Sequence, residues 1–249
     1  MEEHYPILEG AEPFSIEGGR TGILISHGFT GTTQSMRPLG DAYGAAGYTV
    51  YGPRLTGHGT HPEDMERSSR HDWIRSVEDG YEWLRERCDT IFMTGLSMGG
   101  TLTLYMAQKH PDIRAIALIN AAVDIPSMKQ VHELQDVRFL EAIGSDIKKT
   151  DVTELAYDQT PVKSVKEILA LMEEVKADLD SVACPALIFV SDEDHVVPPD
   201  NADMIEAGIS SEIKELSRMH DSYHVATLDN DQGKIIEETL AFFKRFSAV

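Results

Sequence analysis

The sequence predicts an α/β protein built on a mostly parallel, doubly wound sheet with a small helical cap inserted over one edge. Three observations carry that prediction. Short apolar, β-branched runs alternate with helical patterns, and glycine-rich turns follow two of those runs directly. The interval 124–181 then breaks the alternation, because it lacks a strand pattern.

The runs GILIS (22–26), YTVYG (48–52), IFMTG (91–95), AIALIN (115–120) and ALIFVS (186–191) are continuous enough in apolar character to be strands buried on both faces. EIKEL (212–216) alternates and reads as an edge strand. Helical patterns lie between them at about 36–46, 71–87, 98–109, 201–208 and 231–245. Such alternation implies right-handed crossovers, with ligands bound outside the carboxyl ends of the strands. A crossover needs only about a dozen residues. The longer interval 124–181 is therefore predicted to be a cap, with helical patterns near 127–142, 152–157 and 162–179 and a turn at IGSD (143–146). The core is then 1–123 together with 182–249.

Composition narrows the function. A chain of 249 residues that is 41% hydrophobic, with two Trp, eight Tyr and eight Phe, is globular rather than disordered. No run approaches the roughly 18 apolar residues of a membrane span. The opening MEEHYPILEG is acidic where a secretory leader is basic, so a cytoplasmic location is expected. Cys88 and Cys184 fit no metal or redox spacing and are expected to be reduced, partly buried thiols. A net charge of −20 opposes nucleic-acid binding and anionic membranes, and favours neutral or cationic small substrates.

The stretch TGLSMGG (94–100) sets Ser97 between glycines, after an apolar run and before a helical pattern. On a sharp strand-to-helix turn a serine sits in strained backbone, and flanking side chains at Gly95 and Gly99 would collide with it. Ser97 Oγ would then stand clear of the sheet near a helix N-terminus, where free N–H groups favour developing negative charge. A second N–H for such a charge is offered by ILISHGFTGT (23–32). There Phe29 follows the strand and would pair with Met98, the residue after the serine. His27 is expected to order this loop rather than react.

An acid and a histidine should follow Ser97 in that order. DEDHVVPP (192–199) follows a strand and suits Asp194, with Asp192 as the alternative. Three of the ten histidines lie beyond Asp192. His195 adjoins the acid and points elsewhere. His224 fits the loop before the last helix better than His220. TGHGTH (56–61) matches no zinc spacing and reads as a glycine-shaped loop.

The stretches SHGFTGTTQSMRPL, RLTGHGTHPEDM, TGLSMGGTLTLY, INAAVDIP and SDEDHVVPPDNAD together resemble the bacterial monoacylglycerol lipases. More distantly they resemble the small thermostable carboxylesterases of the same α/β-hydrolase group. The resemblance implies an α/β-hydrolase fold with a helical lid and no metal or organic cofactor. It implies Ser97, Asp194 and His224 as the triad and the N–H groups of Phe29 and Met98 as the oxyanion hole. It sets Glu154 and Asn120 where a glycerol head would bind, and Ile143 along the acyl passage. The expected activity is hydrolysis of a neutral lipid ester, a monoacylglycerol, to glycerol and fatty acid, with at most transient contact with lipid aggregates. Met128, Leu134, Phe139, Leu140, Ile143, Leu169 and Met172 supply a cap rich in flexible apolar side chains. The alternatives are a general carboxylesterase and a non-catalytic ligand-binding protein of the same fold.

Overall fold

The computed structural model describes residues 1–134 and 136–247. The six strands expected from the sequence form one parallel array. They are β2 (Thr21–Ser26), β3 (Thr49–Gly52), β4 (Thr90–Leu96), β5 (Ile116–Ile119), β8 (Ala186–Ser191) and β9 (Lys214–Met219). A strand not foreseen, β1 (Phe14–Ile16), adds antiparallel to β3 at one edge. Three residues are too few to display a period, so only the pairing of Phe14 with Gly52 and Ile16 with Val50 reveals it. The full order is β1-β3-β2-β4-β5-β8-β9.

Each central strand buries both faces, and successive residues feed opposite cores. Leu24, Met93, Leu118 and Ile188 point to one side. There they meet the apolar faces of α3 (Arg70–Arg85), α4 (Met98–Lys109) and α6 (Val162–Ala177). Ile23, Phe92, Ile119 and Phe189 point to the other, against α1 (Arg37–Ala45) and α8 (Gln232–Lys244). On that side Phe92 and Phe243 stack with centroids 4.4 Å apart. The direction of winding reverses between β2 and β4, so the loops after these two strands open into a common crevice. In register, Ser26, the last residue of β2, lies beside Gly95, one residue before the end of β4.

The remaining elements differ more from expectation. The helix α2 (Pro62–Arg67) was not predicted. It is one and a half turns long, started by proline and capped by His61, whose Nδ1 accepts the Glu63 N–H at 3.2 Å. Between β5 and β8 the helix predicted at 162–179 is present as α6, but those at 127–142 and 152–157 are not. The first region holds only α5 (Pro126–Lys129), a 3₁₀ turn (Gln130–Glu133) and β6 (Phe139–Glu141). Gln135, within the predicted helix, lies outside the described residues. The strand β6 pairs antiparallel with β7 (Gln159–Pro161), Leu140 opposite Thr160. Residues 152–157 form no helix because their backbone is gripped from the core. The Gln34 side chain donates to Thr153 O at 3.1 Å and accepts from Leu155 N at 2.9 Å. Tyr157 N–H reaches Thr30 O at 3.2 Å. Among the described residues no helix is long and apolar enough to cross a membrane.

The helix between β8 and β9, α7 (Asp200–Gly208), is tied to the β5 loop by one buried amide. Asn201 Oδ1 accepts the N–H groups of Val123 and Asp124 at 2.7 and 2.8 Å. Its Nδ2 donates to Asp124 O and Pro198 O, both at 2.9 Å. Asn201→Ala strands buried backbone groups and should cost roughly 2–4 kcal/mol of stability. Urea unfolding checks this, and a loss below about 1 kcal/mol would contradict it.

Candidate active site

Ser97 joins β4 to α4 with φ 58° and ψ −120°, a left-handed conformation for a residue bearing a side chain. Three glycines make the turn possible. A Cβ on Gly95 would lie 2.1 Å from Gly99 O, and one on Gly99 would lie 2.2 Å from Ser26 O. One on Gly100 would lie 2.4 Å from Ala121 Cβ. The strain is held by hydrogen bonds on both sides. Ser97 N–H donates to Ile119 O at 2.9 Å, and Ser97 O accepts from Gly100 N and Thr101 N at 2.8 and 3.1 Å. The side chain faces a cavity of about 260 Å³.

The loop after β2 approaches this turn closely. A Cβ on Gly28 would fall 3.3 Å from Ser97 Cβ. Among the described residues, neither Phe29 N–H nor Met98 N–H has a hydrogen-bond acceptor, and Met98 is the first residue of α4. His27 orders the loop, as expected. Its Nδ1–H donates to Gly28 O at 2.9 Å and its Nε2 accepts Leu55 N–H at 3.1 Å. Those partners require a neutral ring, and burial, aided by the Arg54 charge against the Gly28 bond, lowers its pKa to about 4. His58 is buried, with its ring 5.3 Å from His27 and 6.3 Å from Phe29. His61 instead caps α2, so the TGHGTH histidines share no ligand position.

Asp194 follows β8, where its Oδ1 accepts the N–H groups of Val196 and Val197 at 2.9 and 2.8 Å. Its Oδ2 accepts His224 Nδ1–H at 2.8 Å, and both side chains are buried. This leaves His224 Nε2 as the free ring nitrogen of a residue that lines the cavity with Ser97. Among the described residues no hydrogen bond yet joins Ser97 Oγ to that ring; such contacts commonly tighten once substrate is bound. Burial lowers the His224 pKa, but the Asp194 charge and hydrogen bond outweigh it. Glu154 and Asp146 add to them, so the net direction is upward. The alternative residues pair with each other at the surface: Asp192 holds the His220 ring and, at 3.1 Å, Arg218.

The cavity lining is mostly apolar, with Phe29, Met128, Val131, Leu140, Ile143 and Ile168 among its walls. Ile143 is 68% exposed and so stands at the mouth. Leu169 and Met172, two of the apolar cap residues, pack into the core on α6. Leu134 and Phe139 are also absent from the lining. Glu154 lies in the extended segment pinned by Gln34, against the Phe29 loop: a Cβ on Gly31 would fall 2.5 Å from its Oε1. Burial pushes the Glu154 carboxyl up to about 7, against the lowering effects of His224 and Ser35. Asn120 corrects the expectation of a glycerol contact. Its Nδ2 donates to Ser191 Oγ at 3.0 Å and His224 O at 2.8 Å, and its Oδ1 accepts Ser191 N–H at 2.8 Å. With both amide hydrogens engaged and no surface in the cavity, Asn120 anchors the histidine loop. Asp146, read from the sequence only as a turn residue, lines the cavity instead. Nothing in the local pattern marked it, or Gln34, for these positions.

Along nearly its whole length the chain is similar to known proteins. The chain is 62% identical to the thermostable monoacylglycerol lipase of Bacillus sp. (strain H-257), over 98% of its own length and 99% of that protein's. It is 29% identical to a carboxylesterase of Bacillus subtilis (strain 168), covering 94% and 96% of the two chains. Among solved structures, one from a study of the metagenome-derived lipolytic enzymes LipS and LipT superposes with a TM-score of 0.94. Its sequence identity is 48%, over 96% of this chain and 100% of the other. Residues 19–231 match the family described as serine aminopeptidase, S33. The chain therefore belongs to the S33 family of α/β-hydrolases.

Proposed function

We propose that the protein is a serine ester hydrolase that cleaves monoacylglycerols to glycerol and a free fatty acid. The observation that carries this reading is a mainly apolar cavity that contains Ser97 and the Asp194-bound His224 and has the Glu154 carboxyl on its wall. The name of the 62%-identical Bacillus relative supports the same substrate class.

In this reading Ser97 Oγ attacks the ester carbonyl while His224 Nε2 takes its proton. Asp194 holds Nδ1–H and stabilises the imidazolium that forms. The carbonyl oxygen becomes an oxyanion held by the N–H groups of Phe29 and Met98, each worth about 3 kcal/mol in comparable sites. His224 returns the proton to the glycerol oxygen, the C–O bond breaks, and an acyl-serine remains. Water, deprotonated by the same ring, then releases the fatty acid. Glu154, able to accept or donate near neutrality, would bond the glycerol hydroxyls. A hydrogen bond to a charged group contributes about 1.5–3 kcal/mol, or roughly ten- to a hundredfold in preference for the glycerol ester. The exposed Ile143 gives the mouth an apolar edge suited to transient contact with lipid aggregates.

The test compares kcat/KM on 1-lauroylglycerol and methyl laurate, with fluorophosphonate labelling to report the serine. Wild type should label and Ser97→Ala should not. The glycerol ester should be preferred by about tenfold or more, and equal rates would leave a general carboxylesterase. Glu154→Gln should reduce turnover of 1-lauroylglycerol more than of methyl laurate. Losses of equal size would reject its contact with the glycerol head.

A pH profile gives a further expectation. His224 must be neutral to accept a proton, and its pKa lies above the ordinary 6.5. Activity should therefore be full above that raised value and fall as pH drops through it. The acid limb of kcat/KM on methyl laurate should lie above pH 6.5. Glu154→Gln removes a carboxylate that favours the imidazolium and should move the limb down; a limb unmoved by that change would contradict the charge coupling.

A further inference from the structure

We infer that Asp146, supplied by the segment inserted between β5 and β8, is a positioning residue for His224, fixing the histidine loop against the acid turn. The inference rests on the reading of Ser97, Asp194 and His224 as the reacting triad.

One carboxylate touches both strands of the problem. Asp146 Oδ2 accepts the backbone N–H of His224 and that of His195, each at 3.1 Å. His195 is the residue next to Asp194. Asp146 Oδ1 accepts His195 Nδ1–H at 2.8 Å, and the Asp146 carbonyl accepts Val225 N–H at 3.0 Å. The backbone on either side of the Asp194–His224 hydrogen bond is thus drawn to a single side chain that is only 11% exposed.

The lacing is reciprocal. Asp229, buried beyond the histidine, holds the inserted segment in return. Its Oδ2 accepts Lys148 N–H at 2.7 Å and Tyr223 N–H at 2.9 Å, and its Oδ1 accepts Lys149 N–H at 2.9 Å. Residues 146–149 and 223–225 therefore form one unit, and the short stretch of insertion within it belongs to the reaction site rather than to a movable cover. General-base catalysis needs such fixity, because a misplacement of about 1 Å in a reacting group can cost a hundredfold.

Asp146 also carries charge. The carboxylates that face the His224 ring are Asp194 from the acid turn, and Glu154 and Asp146 from the insertion; all three favour the imidazolium. Asp146 is itself paired with the His195 ring, which faces Glu193 at 4.0 Å and lies edge-on to Tyr223 at 4.7 Å. The nearby Lys148 is held by Asp221 at 3.1 Å. The pairing with Asp146 raises the His195 pKa above its ordinary value, and the protonated His195 ring offsets part of the Asp146 charge.

The two partners should then move the acid limb in opposite directions. In Asp146→Asn, kcat on 1-lauroylglycerol should fall roughly tenfold to a hundredfold with KM within about twofold, and the limb should move to lower pH. In His195→Gln, a change at an exposed side chain that leaves the Asp146 charge without its cationic neighbour, the limb should move up by a smaller amount. A merely structural contact would not produce shifts of opposite sign. A folded Asp146→Asn variant with wild-type kcat and an unmoved limb overturns the inference. A rise in KM alone also overturns it, by making Asp146 a substrate contact. Should Asp146→Asn fail to fold, His195→Gln decides: an upward move supports the inference, and an unmoved or lowered limb rejects it. Ser97→Ala separates the two levels. If that variant keeps turning over, the triad reading fails; if it is inactive while Asp146→Asn is unchanged, only the role of Asp146 fails.

Discussion

The close approach of α4 to the strand beside its own governs the rest of this molecule. With Gly99 packed where a Cβ would touch Ser26 O at 2.2 Å, the helix starts directly over the end of β2. That contact forces Ser97 into φ 58° and brings Gly28 against it. Backbone strain of this kind costs about 1–3 kcal/mol and persists only when its surroundings over-determine it. Here they do, through hydrogen bonds from β5, from α4 itself and from the loop at Ala122. The N–H groups of Phe29 and Met98, without acceptors among the described residues, follow from the same geometry.

Around that fixed point the loops are held by side chains bonded to backbone, not by secondary structure. Gln34 grips the peptide on either side of Glu154, Asn120 holds the carbonyl of His224, and Asn201 ties the β5 loop to the turn after Asp194. Each is buried or half-buried and engages more than one backbone group, so each defines an orientation as well as a distance. Removing one amide releases two segments at once, and at the buried Asn120 and Asn201 it leaves donors and acceptors unpaired. This is how irregular chain can present reacting groups with the precision of a strand end.

The same contrast explains what the sequence could convey. The parallel strands were legible because burial on both faces leaves a continuous apolar run, as in Ala186–Ser191, where all six residues are buried. The elbow was legible because its glycines answer a local steric demand. Asp194 and His224 were separable from Asp192 and His220 by their distance from strand and helix ends, and the latter two pair with each other at the surface. The segment 127–157 was misread because several of its apolar residues, among them Met128, Val131 and Leu140, face a cavity, which imposes spacing without imposing a helix. The contacts that shape it span 119 and 121 residues from Gln34, and 49 and 78 from Asp146. No local period records such distances. Asn120 was misassigned for a related reason: its position after a strand was right, but which way its amide pointed depended on Ser191 and His224.

Charge completes the picture. The chain carries a net charge of −20, yet the cavity receives its carboxylates in a graded way. Asp194 accepts two backbone N–H groups and an imidazole N–H, which suits a carboxylate beside a ring that must become a cation. Asp146 accepts three N–H groups and is offset by His195. Glu154 lies against the loop whose N–H groups would hold an oxyanion, and an ionised carboxylate there would oppose that oxyanion. Burial brings its pKa to about 7, so near neutrality the carboxyl is often uncharged and available as a donor. Placing a second anion next to the oxyanion hole is therefore tolerable only because the wall that buries Glu154 also weakens its ionisation. A more open cavity would turn the same glutamate from a polar contact for substrate into an electrostatic obstacle to the reaction.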